Sequence, residues 1–177
     1  PVYRFHGHTH VPPAEAGHIT MPVQTDQELR LMQWVADRHG KGTPGLEDVL
    51  SGRGFERIYA FLCDEDGEGE PLSASESMAA HGESQPRATR AMEMFVSLMG
   101  RYAGNLALIT MPLGGVYLVG GVAGHFGPFL NGLGFAAAYR DKGRFAGFMD
   151  QFPVWLVNDD YAALPGCAAH LDELLSA

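Results

Sequence analysis

Apolar residues first fall on helical spacing at Leu29, Met32, Val35 and Ala36, behind a Thr25 to Glu28 pair that fits a capping box, and the pattern stops at Gly40. Such a box satisfies backbone donors that a helix start leaves open, so an amphipathic helix of about four turns is predicted here. The same period returns at Ile58, Phe61 and Leu62, after a short turn or helix around Leu46 to Leu50 and a break at Gly52 and Gly54. Asp64 to Glu70 is acidic, interrupted by glycine and without an apolar residue, which predicts a surface loop. Ser73 or Ser75 can cap a short helix that ends near Gly82. Ser84 and Pro86 open a longer one through Met92, Phe95, Val96 and Met99 to Gly104, with its methionines in the core.

Strand signals lie at both ends and in the middle. Val2 to Val11 alternates and is rich in Val, Tyr, Phe and Thr, as a strand or hairpin arm would be. On such a strand His6, His8 and His10 share one face. Three imidazoles there could hold a transition metal or form the wet face of an edge strand, and no fourth ligand is placed to close a site. Leu106 to Thr110 and Val116 to Val119 read as two buried strands joined by a Pro-Leu-Gly-Gly turn. Val154 to Val157 reads as a last strand and Tyr161 to Leu175 as a last helix, with Asp159 and Asp160 as caps. The order implies an α/β fold with a helix-rich insertion. "YLVGGVAGHF" leaves its strand on the paired Gly120 and Gly121, which suits either a tight exit or bare backbone approaching a nucleotide at the carboxyl end of a strand.

With 177 residues, the chain has room for one domain with a sizeable core. Hydrophobic residues make up 46% and charged residues 19%, a globular composition, and the net charge of −9 argues against nucleic acid as a partner. Cys63 and Cys167 form no metal-binding pair and fit a reducing, cytoplasmic setting. Tyr102 to Tyr139 carries no Lys, Arg, Asp or Glu, but Asn105, Pro112, Asn131 and paired glycines cut it into pieces too short to span a bilayer, so no membrane role is expected. The sequence begins at Pro1 without an initiator Met and is expected to be part of a longer protein.

The loop "AEAGH", Ala14 to His18, sets an acid and an imidazole around small residues. By itself this suits a solvated turn, although Glu and His can also exchange hydrogen bonds with a ligand. Together with "EDVLSGRGF", "MGRYAGNLAL", "GGVYLVGGV", "DKGRF" and "LPGCAAHL", taken in that order from about Pro12 to Leu171, it resembles the bacterial ATP-dependent glucokinases. The resemblance implies an actin-like ATPase (ribonuclease H-like) fold, with residues 1–177 forming the carboxyl-terminal large lobe, a helical insertion within it and the amino-terminal lobe absent. It implies that Glu15, His18 and Glu47 hydrogen-bond a sugar, with Gly17 letting the loop bend around it, and that Gly120 and Gly121 lie against the nucleotide. Gly52 and Gly54 would lie near the nucleotide cleft.

Related repressor kinases carry a cysteine-rich zinc motif after the histidine. "ITMPVQTDQ" stands there in this chain, so zinc is not expected. The first phosphate loop, a Gly-Thr-Gly turn and the Asp that takes the proton from the sugar hydroxyl would all precede residue 1. The implied activity is glucose phosphorylation at the 6-hydroxyl with Mg-ATP by a cytoplasmic homodimer, the 177 residues alone being inactive. Two alternatives are a sugar-binding sensor without turnover and a dimerisation scaffold built on the helix from Ser84 to Ala103 and the charge-free segment.

Overall fold

The computed structural model describes residues 1–39, 42–82 and 85–176. The first element is a hairpin of β1 (Tyr3–Phe5) and β2 (His8–His10), closed by His6 and Gly7 at φ 50° and 84°. Positive φ at both loop residues is what a two-residue hairpin of natural twist requires. This corrects the expected face of three imidazoles: His6 lies in the turn, and only His8 and His10 share a strand face.

Next come α1 (Asp26–His39), α2 (Gly52–Asp66), α3 (Ala74–Ala79) and α4 (Pro86–Thr110). The Thr25–Glu28 box is formed, with Glu28 N–H donating to Thr25 Oγ1 and Thr25 N–H to Glu28 Oε2, each at 3.2 Å. Ser73 and Glu76 form a second box at the start of α3. The expected end of α1 at Gly40 and the expected opening of α4 at Ser84 lie outside the described residues.

The remaining elements are β3 (Val116–Leu118), α5 (Gly121–Phe126), α6 (Phe135–Arg140), β4 (Val154–Leu156) and α7 (Ala163–Ser176). β3 and β4 pair in parallel, with Val116 opposite Val154 and Leu118 opposite Leu156. A parallel pair needs a long crossover, and α5 and α6 lie within it. Asp159 Oδ1 accepts the Tyr161 N–H at 2.8 Å within the turn before α7; as the helix opens only at Ala163, neither Asp159 nor Asp160 stands at its cap position, which corrects their expected role.

Three expectations fail here, the first being the buried strand Val116 to Val119, which ends at Leu118 and leaves Tyr117 and Val119 exposed. Leu106 to Thr110 is not a strand but the last turn of α4, which ends where Met111 takes φ 45° just before Pro112. An apolar run of this length fits either structure, and burial of Ala103 and Ala107 one turn apart continues the helical seam. Asp64 to Asp66 is not loop but the end of α2, stopped by Gly67 at φ 69°. These acids hold neighbouring helices: Asp64 pairs with Arg38 and accepts the Trp34 indole N–H, Glu65 pairs with Arg30, and Asp66 pairs with Arg87 and Arg90. The two arginines keep the Asp66 carboxyl below its usual range, and they offset the repulsion between acids and a helix carboxyl end.

Buried apolar side chains from Met21 to Phe152 form one connected core, with α4 as its beam. Phe55 of α2, Phe95 of α4 and Phe126 of α5 meet at centroid distances of 4.3–5.4 Å. α4 therefore buries most of its apolar positions in the interior, with Ile109 left exposed near its end. On one side it receives α6 so closely that a Cβ on Gly100 would stand 2.4 Å from the Phe135 carbonyl oxygen, and one on Gly104 2.4 Å from that of Tyr139. On another side the Arg101 guanidinium donates to both oxygens of Glu28 at 2.8 and 2.9 Å, and to the Pro22 carbonyl at 3.4 Å. Among the described residues no helix is long and apolar enough to cross a membrane.

Helix propensity favours alanine over glycine by about 1 kcal/mol, while overpacking against backbone costs about 1–3 kcal/mol. At Gly104 the clash wins, so Gly104→Ala is expected to lower the thermal midpoint. Gly124→Ala, where a Cβ meets nothing within 4 Å, should leave it unchanged or raise it. Removal of one partner from a buried ion pair costs about 3–5 kcal/mol. Glu28→Ala is expected to fall in that range in urea unfolding, and a Glu28→Leu, Arg101→Met double variant should recover most of the loss.

Candidate functional site

The loop Glu15 to Thr20 and the turn Leu46 to Asp48 are bound together by backbone. Ala16–His18 is a single tight helical turn in which the His18 N–H donates to the Glu15 carbonyl at 3.0 Å. Thr20 then bridges Gly45, and the Leu46 N–H donates to the Ile19 carbonyl at 2.8 Å. The second turn is anchored below by buried Leu46 and Val49. It is pinned laterally by Asp48, whose carboxylate accepts the Gly45 N–H at 2.9 Å and Arg57 Nη1 at 2.8 Å. Glu47 stands between these anchors and points outward.

In this arrangement His18 Nε2 lies 3.7 Å from Glu15 Oε2 and 3.9 Å from Glu47 Oε2. The three side chains singled out in the sequence thus meet, from two separate loops. They are wet: the side chains of Glu15, His18 and Glu47 are 89%, 69% and 55% exposed. Pairs so exposed and so long contribute little to stability. The loops hold these groups in place, and their own attraction does not. Gly17 lies in the tight turn Ala16–His18 without a positive φ, and a Cβ there would sit 3.7 Å from Glu47 Oε2. Its small size keeps the space in front of Glu47 open.

From the opposite flank, the hydroxyl of Tyr102 on α4 donates to the Ala16 carbonyl at 2.9 Å. Burial pushes the Tyr102 phenol above its ordinary pKa. Two features of the site escape sequence patterning. The Asp48–Arg57 clasp joins residues with no periodic relation, and the Tyr102 contact spans most of the helical region. The one signal for the latter is a hydroxyl on an otherwise apolar stretch of α4.

The second candidate region is the exit from β3. Gly120 has φ 97° and ψ 175°, and its carbonyl accepts the Gly124 N–H at 2.9 Å. A Cβ on Gly120 or Gly121 would meet nothing within 4 Å. The phenyl ring of Phe126 ties this region to Phe55, eight residues beyond Glu47. Gly54, by contrast, is a packing glycine: its Cβ would stand 2.3 Å from the Val49 carbonyl carbon, so the start of α2 sits directly on the turn carrying Glu47. The N–H of Gly54 donates to Ser51 Oγ at 3.0 Å, while Gly52 faces open space. Among the described residues no three His, Cys, Asp or Glu side chains are grouped to hold a metal ion.

Residues 2–174 match the glucokinase family model. The chain belongs to the glucokinase family. It is 35% identical over 167 residues to the glucokinase of Pectobacterium atrosepticum, covering 93% of this chain and 51% of that protein. It is 37% identical over 165 residues to the glucokinase of Cupriavidus pinatubonensis, covering 92% and 48%. The chain therefore spans about half the length of the curated glucokinases it matches. A solved glucokinase from an Antarctic psychrotroph superposes with a TM-score of 0.85 at 27% identity, covering 97% of this chain and 53% of that one. A glucokinase from Balamuthia mandrillaris, solved in complex with glucose, gives a TM-score of 0.77 at 24% identity over 89% and 47%, a likeness of fold. The glucokinase relatives bear out the actin-like, mixed α/β fold class.

The backbone of Gly120 lies where only glycine is at ease, at a cost of about 1–3 kcal/mol for other residues. Gly120→Ala is expected to lower the stability measured by urea unfolding by about that amount. Gly121→Ala, with ordinary φ and open space, should not change it.

Proposed function

We propose that this chain is the larger-lobe half of an ATP-dependent glucokinase and carries the sugar grip of that enzyme. The observation that carries the reading is the convergence of Glu15, His18 and Glu47 in a family whose members are named for their action on glucose. The chemistry suits a polyol. Two carboxylates offer acceptors to neighbouring hydroxyls and the imidazole between them offers a further partner, so several hydroxyls are read at once. Once water is excluded, a site of this kind rejects an analogue that lacks one hydroxyl, because a polar group is then left without its partner.

ATP is the phosphoryl donor in this reading and supplies the transferred group. The exit from β3 fits it, since no side chain of the described residues fills the space in front of Gly120 and Gly121. The described residues do not group to build a magnesium site, and Mg2+ enters the reading only with the nucleotide. Phosphoryl transfer relies on positioning and on an oriented nucleophile. Glu15, His18 and Glu47 provide the positioning of the sugar, and the base that orients its 6-hydroxyl belongs, in this reading, to the part of the relatives that this chain does not span. A homodimer in the cytoplasm completes the proposal; the free thiols of Cys63 and Cys167 accord with a reducing compartment.

Each hydrogen bond to a charged group contributes about 1.5–3 kcal/mol, equivalent to about 10- to 100-fold in a binding constant. In the full-length protein, Glu15→Ala or His18→Ala is expected to raise the KM for glucose by that factor and leave the KM for ATP unchanged, in a coupled assay of glucose 6-phosphate formation. Equal loss toward both substrates would count against the assignment. The isolated 177 residues are expected to show no glucose-dependent ATP consumption.

A further inference from the structure

We propose that Tyr102 is a positioning residue for the sugar grip, setting the Glu15–His18 turn against Glu47 through its hydroxyl. This rests on the reading of Glu15, His18 and Glu47 as the sugar site. The turn is a single helical turn with no buried side chain of its own, so nothing within it fixes its orientation. Its hydrogen bonds to the rest of the described protein come from two directions. On one flank Leu46 N–H holds the Ile19 carbonyl, and on the other the Tyr102 hydroxyl holds the Ala16 carbonyl at 2.9 Å. The first is a hinge, because it lies beyond His18. The second lies between Glu15 and His18 and blocks rotation about that hinge. Rotation would move both side chains together and open the 3.9 Å spacing from His18 to Glu47, while the 3.7 Å spacing within the turn travels with it.

Tyr102 is itself well fixed. It follows Arg101, whose guanidinium is locked to Glu28, and precedes Ala103 and Gly104 on the seam of α4 that packs inward. The hydroxyl thus extends from a long, largely buried helix to a turn that has no buried side chain. The Arg101 contact to Pro22 secures the same strand of chain further along, so two successive residues of α4 together guide the path from Ala16 to Pro22.

Tyr139 provides an internal control. Its hydroxyl donates to the Phe152 carbonyl at 2.9 Å, a tertiary bond of the same kind remote from Glu15, His18 and Glu47 in sequence, on α6. In the full-length protein, Tyr102→Phe and Tyr139→Phe would be compared for KM and kcat toward glucose and ATP and for thermal midpoint, alongside His18→Ala. Tyr102→Phe is expected to raise the KM for glucose about fivefold, the scale of one net hydrogen bond, with the KM for ATP unchanged. Tyr139→Phe is expected to lower the thermal midpoint at least as much, without moving the KM for glucose. If both Phe variants lose only stability while His18→Ala raises the KM for glucose, the positioning role of Tyr102 is overturned and the sugar site stands. If His18→Ala also leaves the KM for glucose unchanged, both are overturned.

Discussion

The ion pair between Glu28 and Arg101 is the contact on which the arrangement depends. Burial of two charges is costly unless each finds partners, and here the guanidinium reaches both carboxylate oxygens and the Pro22 carbonyl. Glu28 is at the same time the closing member of the α1 cap. One carboxylate therefore ends a loop, starts a helix and docks that helix onto α4.

α4 serves as a common support because its faces are chemically distinct. Gly100 and Gly104 form a groove that accepts α6 at backbone contact, Phe95 joins the aromatic cluster with Phe55 and Phe126, and Arg101 with Tyr102 meets the segment 16–28. The Glu15–Thr20 loop and the glycine-rich exit from β3 are thus attached to one helix through separate contacts. Lys142 adds a tie, its ammonium reaching the Arg101 carbonyl at 3.4 Å, and burial pulls the pKa of that amine down.

Much of this was legible where the physics is local. The capping box at Thr25, a serine cap at Ser73 or Ser75, the helical period through Ile58 and Leu62, and the β-rich sequence at the start each depend on residues a few positions apart, and each formed, the cap falling to Ser73. Leu106 to Thr110 was misread because an apolar pentapeptide satisfies a buried strand and a buried helix equally. What decided it was the preceding helix, which continued through Ala107. Asp64 to Asp66 was misread because acidity marks solvent only when no cations face it; Arg38, Arg87 and Arg90 come from other helices, a fact no local window contains. The meeting of Glu15, His18 and Glu47 followed from ordered motifs, whereas the Asp48–Arg57 clasp and the Tyr102 contact depend on tertiary placement. The role of that meeting in sugar recognition stays with the experiments proposed for it.

The wetness of the grip has a consequence for selectivity. While Glu15, His18 and Glu47 face bulk solvent, water competes for every acceptor, and a hydroxyl arriving there merely replaces a water molecule at nearly equal energy. Discrimination between polyols at such a site would grow only when solvent is expelled, because an unmet carboxylate then has no substitute partner. In the proposed reading, recognition would therefore be a property of enclosure: Glu15, His18 and Glu47 would define which groups are read, and the exclusion of water would determine how severely a mismatch is penalised.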